Sequence, residues 1–246
     1  MRCLTKLRAL KDQAHNSAYH VKLQGVLYRI LDRAGHDDIH DLGPFKFITF
    51  SNIFPPRNMR EGDKRTFIVA SPNGPLINDV AATISEMDCL EPGDEQFAVE
   101  STTCFEIDPG REGRMITGTP IVVRLPADRC SDYDIDPGKY DDVYWQLDHN
   151  SEAFIDSVEG NLSRKYEKYY DREAPDRPYF TGYSPRKQVS IPLHYEDRTV
   201  TMIGTTWELD YECPDRERHR LIRLAYSAGL GELNTTGFGF MNKVEN

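Results

Sequence analysis

Gly229-Leu-Gly231-Glu-Leu-Asn-Thr-Thr-Gly237-Phe-Gly239-Phe240 places four glycines within eleven residues, between an amphipathic run and an aromatic strand pattern. Three uses are open to such a stretch: positive-φ turns, close approach of backbone to a ligand, or capture of an anion by adjacent amides. It leads from a helix into a strand, whereas the Walker and dinucleotide fingerprints lead from a strand into a helix, so those nucleotide folds are excluded. The positive end of the preceding helix dipole points away from it. Phosphate contacts therefore fall to the loop amides and to the cations near it in sequence, Arg218, Arg220, Arg223 and Lys243. The plain structural alternative is a glycine C-cap at Gly229 followed by a loosened edge strand.

Working outward, Pro214-Asp215 starts a helix that turns Leu221, Ile222, Leu224, Ala225 and Ala228 inward, and Phe238 to Val244 makes the last strand. Upstream lie a strand over Arg114 to Leu125, an acidic connection over Pro126 to Asp148, and a helix from Ser151 with Phe154, Ile155, Val158, Leu162 and Tyr166 on one face. Strands through Lys187 to His194 and Thr199 to Tyr211 complete a βαββαβ order. The first half shows the same order. Residues 2–9 alternate, with Cys3, Thr5, Leu7 and Ala9 on one side and a mainly basic face on the other. Asn16 or Ser17 caps a helix carrying Leu23, Val26, Leu27, Ile30, Leu31 and Ala34, ended by Gly35. Strands follow at Lys46 to Ile53 and Arg65 to Ala70, then a helix capped by Ser71 with Leu76, Ile77, Val80, Ala81, Ile84 and Met87 inward, then a strand over Gln96 to Ile107. The sequence thus predicts an α+β fold of two tandem ferredoxin-like domains, 1–112 and 113–246. They join near residues 108–118, where Pro109, Gly110, Gly113 and Gly118 cluster.

A chain of 246 residues is long enough for two such cores. No window approaches the ~18 apolar residues of a membrane span, and the N-terminus alternates charge with apolar residues, so a cytoplasmic protein with no membrane partner is expected. The five cysteines are scattered without a C-x-x-C pair, which suggests neither a disulfide framework nor a zinc knuckle and reads as buried small hydrophobes. A net charge of -10 argues on its face against nucleic acid. Yet 23 Asp against 17 Glu, and 10 Lys against 20 Arg, give an Asp-rich, Lys-poor surface like that of proteins from salt-accumulating halophiles. There a Debye length of ~3 Å at 1 M salt removes long-range repulsion, and the charge no longer excludes RNA.

Tyr28, His36, His40 and Lys46 fall within nineteen residues around the first helix and its following loop. A loop His titrates near neutrality, a Tyr hydroxyl donates or accepts a proton, and a Lys neutralises developing negative charge, so the set suits a phosphoryl reaction. Each taken alone is ordinary. His36 and His40 with Asp37, Asp38 and Asp41 do not make a metal-ligand spacing, and no metal or other cofactor is expected.

Leu23-Gln-Gly-Val-Leu-Tyr28 followed by His40, Gly43-Pro-Phe-Lys46-Phe-Ile-Thr-Phe-Ser-Asn-Ile-Phe54, Thr119-Pro-Ile-Val-Val-Arg124 and the glycine stretch together resemble the CRISPR-associated endoribonucleases that process precursor CRISPR RNA, within the RAMP superfamily. The resemblance runs end to end, and with the salt-adapted composition it implies a halophilic archaeon as the source. It implies a metal-independent cut inside each repeat by the 2'-hydroxyl, leaving a 2',3'-cyclic phosphate and a 5'-hydroxyl. Carried onto this chain, it makes His40 the general base or acid, Tyr28 its partner hydroxyl and Lys46 the stabiliser of the phosphorane. Gly229, Gly231, Gly237 and Gly239, with Arg223 and Lys243, are expected to touch RNA. CRISPR repeat RNA is the implied partner, with subunits of an interference complex and a second copy of the chain as further ones. The competing reading is a non-cleaving RAMP-type RNA-binding subunit of an effector complex, against which the Tyr28, His40, Lys46 set speaks.

Overall fold

The computed structural model describes every residue except 16–17, 41–42, 196 and 245–246, and of His40 the backbone alone. In β1 (Arg2–Ala9) the alternating pattern sends Cys3, Thr5, Leu7 and Ala9 into the core and Lys6 and Arg8 to solvent. Arg2 departs from the expected basic face, being buried against the second half of the chain. The next element, α1 (Tyr19–Arg33), buries the expected stripe of Leu23, Val26, Leu27, Ile30 and Leu31 and ends before Gly35 at φ +80. Its N-cap is Ala18, without a side-chain cap bond, and the expected caps Asn16 and Ser17 lie outside the described residues.

The first sheet continues with β2 (Thr49–Phe50), β3 (Lys64–Ala70), α2 (Gly74–Ser85), β4 (Cys89–Leu90) and β5 (Phe97–Phe105). Asn73, and not Ser71, caps α2: its Oδ1 accepts from the Leu76 N–H at 3.3 Å. The Ser71 hydroxyl instead donates to the Phe47 carbonyl at 2.7 Å, tying the Lys46 segment to the end of β3.

The second sheet is built from β6 (Glu112–Thr117), β9 (Phe180–His194), β10 (Thr199–Glu212) and β11 (Met241–Lys243), with α4 (Ser151–Tyr170) and α5 (Arg216–Ala228) packed on it. The expected strand over 114–125 breaks at Gly118-Thr119-Pro120, because a proline offers no donor to a ladder. Its far end becomes β7 (Arg124–Pro126), which pairs with β8 (Asp142–Tyr144) in a separate hairpin spanning α3 (Ala127–Cys130). The acidic connection is therefore partly ordered.

Strand orders are β2-β3-β1-β5-β4 and β11-β6-β10-β9, and every pairing is antiparallel. In each, the first strand of the unit lies between the third and the last, the arrangement of a ferredoxin-like βαββαβ unit. The fold class read from the sequence is thus observed, with β4 and the β7–β8 hairpin as additions. Cys3, Cys130 and Cys213 are buried as expected, but Cys89 and Cys104 are only half-buried. Among the described residues no helix is long and apolar enough to cross a membrane.

Candidate functional site

The glycine stretch is a compact turn folded on itself between the two sheets. All four glycines have positive φ: Gly229 +79, Gly231 +64, Gly237 +86 and Gly239 +69. A Cβ on Gly231 would lie 2.6 Å from the Val122 carbonyl oxygen, one on Gly239 would overlap the Leu230 carbonyl, and one on Gly237 would overlap the Phe50 ring. The glycines therefore serve turns and the close approach of protein to protein. Gly237 is where the loop seats on the first sheet. Internal bonds hold the turn: the Leu230 N–H donates to Gly239 O at 2.9 Å, the Gly239 N–H to Pro120 O at 2.8 Å, and Asn234 Nδ2 to Leu230 O and Phe238 O at 2.9 and 3.0 Å.

Beneath the turn stands Lys165 from α4, only 3% exposed. Its Nζ donates to Gly229 O at 2.8 Å, Gly231 O at 3.0 Å and Asn234 Oδ1 at 2.6 Å. Burial pushes this ammonium down to about 7, and the Glu232 carboxylate works against that shift. Sequence reasoning missed Lys165, although a signal existed. It falls seven residues after Val158 and three after Leu162, on the apolar stripe itself, where a lysine needs internal partners.

The turn forms one wall of a cleft whose other walls are the Pro44–Ile48 segment and the α4 residues Asn161 and Lys165. Lys46 lines this cleft, and its Nζ lies 3.5 Å from the Tyr28 hydroxyl, with the ammonium 5.6 Å from the ring centre. Arg124 and Glu232 also line it and form an ion pair at 2.8 Å. The structure thus joins Tyr28, Lys46 and the glycine turn in one place, although they are far apart in sequence. His40 ends the 3-10 turn Asp37–His40 that follows α1, and its side chain lies outside the described residues. His36 is held elsewhere, its Nε2 2.9 Å from Asp79 on α2.

The expected cations are not brought to the turn. Arg223 pairs with Glu106 at 2.9 Å, Lys243 donates to the Asp108 carbonyl at 2.7 Å, and Arg218 lies over the Tyr179 ring at 4.9 Å. α5 turns Arg218 toward the α4–β9 loop and Arg223 toward Glu106, and Lys243 reaches the Asp108 carbonyl from β11, all away from the turn. Thr119 is buried, and its hydroxyl accepts from the Phe240 N–H at 2.9 Å, so it fixes the entry to β11.

The turn also fastens the two halves together. His20, fully buried, lies between the Tyr19 and Phe238 rings at 4.2 and 4.3 Å, and its Nδ1 bonds the Thr236 carbonyl at 2.9 Å. That bond requires Nδ1 to carry the proton, while Nε2 has no partner among the described residues. Burial pushes the ring down to about 4, so it is neutral near pH 7. Among the described residues no three His, Cys, Asp or Glu side chains gather as a metal set.

Comparison with known proteins places this architecture. Residues 106–243 match the family model for the C-terminal part of the CRISPR-associated protein Cas6. A CRISPR-associated endoribonuclease Cas6 of Haloferax mediterranei is 32% identical over 255 residues, covering 100% of this chain and 94% of that protein. A second, from Methanocaldococcus jannaschii, is 27% identical over 256 residues and covers both chains fully. A solved structure of a CRISPR-associated protein Cas6 superposes with a TM-score of 0.73 at 21% identity, over 100% of this chain and 99% of that one. The Haloferax relative accords with the salt-adapted reading of the Asp-rich composition. With more than half of the chain inside the family model and its whole length aligned to named relatives, the chain belongs to the CRISPR-associated Cas6 family.

Proposed function

We propose that this protein is an endoribonuclease that cuts precursor CRISPR RNA inside its repeats, without a metal, by attack of the 2'-hydroxyl on the adjacent phosphate. The bond from O2' to phosphorus forms and the bond to O5' breaks, giving a 2',3'-cyclic phosphate and a 5'-hydroxyl. His40 and Tyr28 share the proton traffic, one taking the 2'-hydroxyl proton and the other supplying O5'. Lys46 stabilises the charge that builds on the phosphorane oxygens. In this reading residues 1–112 form the cutting domain and residues 113–246 the domain that holds RNA with the glycine turn.

The observation that carries the proposal is the meeting of Lys46 and Tyr28, at 3.5 Å, on the rim of the cleft walled by the glycine turn. A separation of 3.5 Å is loose for a working proton relay, and such contacts tighten around bound substrate. Because the nucleophile belongs to the RNA, attack is intramolecular. Holding its geometry is worth up to ~7–11 kcal/mol, which leaves the protein to align the phosphate and move protons. The names of the whole-length relatives favour the enzyme over a non-cleaving RNA-binding subunit.

The test uses repeat RNA in the presence of chelator, beside the same RNA with a 2'-deoxy residue before the cut. Cleavage of the normal RNA alone, with a cyclic phosphate end, is expected. Cleavage of the deoxy RNA, or a strict need for divalent cation, overturns the mechanism.

A further inference from the structure

A second hollow opens where α4 and α5 meet the ends of β1 and β5, lined by Arg2, Glu106, Tyr169, Tyr170, Arg220 and Arg223 among others. Its floor is unusual. Arg2 is 3% exposed and pairs with no carboxylate among the described residues. Its guanidinium donates to the carbonyls of Tyr226 and Met241 and, at 3.4 Å, to Asn242 Oδ1, and lies 4.4 Å above the Phe240 ring, while its Nε has no acceptor among the described residues. A buried cation without an anion is costly, and a site that keeps one is suited to receive an anion. Arg220 and Arg223 add two charges at the rim, paired with Glu217 and Glu106 through half-exposed contacts. Such pairs are worth little, and a phosphate readily replaces the carboxylate.

The sign of this hollow is the reverse of the chain's. The groove between α1 and the end of α2 sets Arg29 and Arg33 against Glu86, Asp88 and Glu91. The groove beside β6 sets Arg114 against Glu112, Asp210 and Glu212. The cleft at the glycine turn and a patch of Lys6, Lys64 and Arg65 on the first sheet share the excess of cations, and of these the cleft is this hollow's neighbour. Phe47, which lines that cleft, meets Tyr169, which lines this hollow, with ring centres 5.1 Å apart.

We propose that the RNA strand continues from the cleavage cleft across the Phe47–Tyr169 edge into this hollow, where Arg2, Arg220 and Arg223 take a flanking phosphate and the Tyr169 and Tyr170 rings carry a base. Aromatic platforms beside cations are the usual means of holding single-stranded RNA. The proposal rests on the endoribonuclease reading and adds the path of the substrate beyond the cut.

The experiment compares wild type with the Arg220→Ala/Arg223→Ala double variant and with Tyr169→Leu. Each is titrated with two uncleavable 2'-deoxy RNAs, a minimal one spanning only the cut and a full repeat, over a salt series. The double variant should bind the full repeat about tenfold more weakly, with the slope of log affinity against log salt reduced by ~0.7 for one lost phosphate contact. Binding of the minimal RNA, and cutting of its cleavable 2'-hydroxyl counterpart, should match wild type, and Arg220→Lys/Arg223→Lys should restore most of the loss. Tyr169→Leu should weaken full-repeat binding without changing the salt slope. Equal full-repeat affinity and slope in wild type and double variant would overturn the path while leaving the cleavage reading intact. Equal losses on both RNAs would also overturn it, by showing a general defect. Failure of wild type to cut normal repeat RNA would remove the endoribonuclease reading and the path with it.

Discussion

Replacing Lys165 with methionine tests how the glycine turn keeps its shape. The stem is retained, but the three acceptors at 2.6–3.0 Å, Gly229 O, Gly231 O and Asn234 Oδ1, lose their donor in a place that water barely reaches. Stranding a buried acceptor costs about 1 kcal/mol or more, so the three together give roughly 3 kcal/mol. Relief of the ammonium's burial offsets part of this, leaving a net loss of about 2 kcal/mol. The sign of the pH dependence is a second readout. The folded ammonium is held at about 7 against 10.5 when unfolded, so between those values the unfolded chain binds more protons and wild-type stability rises with pH. Lys165→Met should abolish that rise. Urea unfolding across pH 6–10 gives both quantities, and repeat-RNA titration gives the functional cost, expected to be about tenfold (about 1.4 kcal/mol). In a double-mutant cycle with Asn234→Ala the two changes should couple by about 1 kcal/mol, since they share a bond. A variant that unfolds within 0.5 kcal/mol or so of wild type, keeps the pH slope and binds RNA equally would show that the glycine turns alone hold the loop.

Lys46→Ala should lower the cleavage rate roughly 10²–10³-fold while leaving the affinity for uncleavable RNA nearly unchanged, as expected for a group acting on transition-state charge; single-turnover kinetics beside binding titrations separate the two. Tyr28→Phe, which removes the hydroxyl 3.5 Å from Lys46, should cost roughly 10²-fold in the same assay. Gly237→Val should destabilise the protein by about 2 kcal/mol or more, since its side chain would enter the Phe50 ring and strain a φ of +86; thermal melting reads this directly. His20 titrates at about 4 when folded and near 6.5 when unfolded, so its contribution is complete above pH 6.5 and lost as pH falls toward 4. Stability should drop by up to about 3 kcal/mol over that window, and His20→Phe, which keeps a ring against Phe238, should flatten the drop.

The stripes of α1, α2, α4 and α5 were legible because burial imposes a 3.6-residue period on the chain, and Leu23 to Leu31 and Leu221 to Ala228 show it without interruption. The order of elements followed from those stripes. What the sequence hid was tertiary. Lys46 and Tyr28 lie eighteen residues apart and meet where Ser71 ties the adjoining Phe47 to the end of β3. Arg2 alternates like a solvent-facing residue of β1, and only docking of the second sheet buries it. Arg223 and Lys243 neighbour the glycine turn in sequence, yet Arg223 points from α5 to Glu106 and Lys243 from β11 to the Asp108 carbonyl. The sequence left three uses open to the glycines, and two of them are observed: all four take positive φ, and Gly237 and Gly231 closely approach Phe50 and Val122 of this protein.

A chain carrying -10 must still attract a polyanion, and the distribution of its charges resolves the difficulty. Cations outnumber carboxylates in the cleft at the glycine turn, where Lys46, Arg124 and Lys165 face Glu232, and again in the hollow floored by Arg2. Carboxylates gather elsewhere, in the grooves beside α1 and β6. At low salt those carboxylates repel RNA from much of the surface, so they sharpen register at the cost of association rate. At 1 M salt, screening within ~3 Å erases the distant repulsion but leaves contacts made at hydrogen-bond distance. Affinity for repeat RNA should therefore fall with salt more gently than for a basic RNA-binding protein making as many phosphate contacts, because screening weakens repulsion and attraction together. Filter binding between 0.1 and 2 M salt measures this. A slope as steep as the number of cleft cations alone demands would mean that the acidic surface plays no part in guiding the strand.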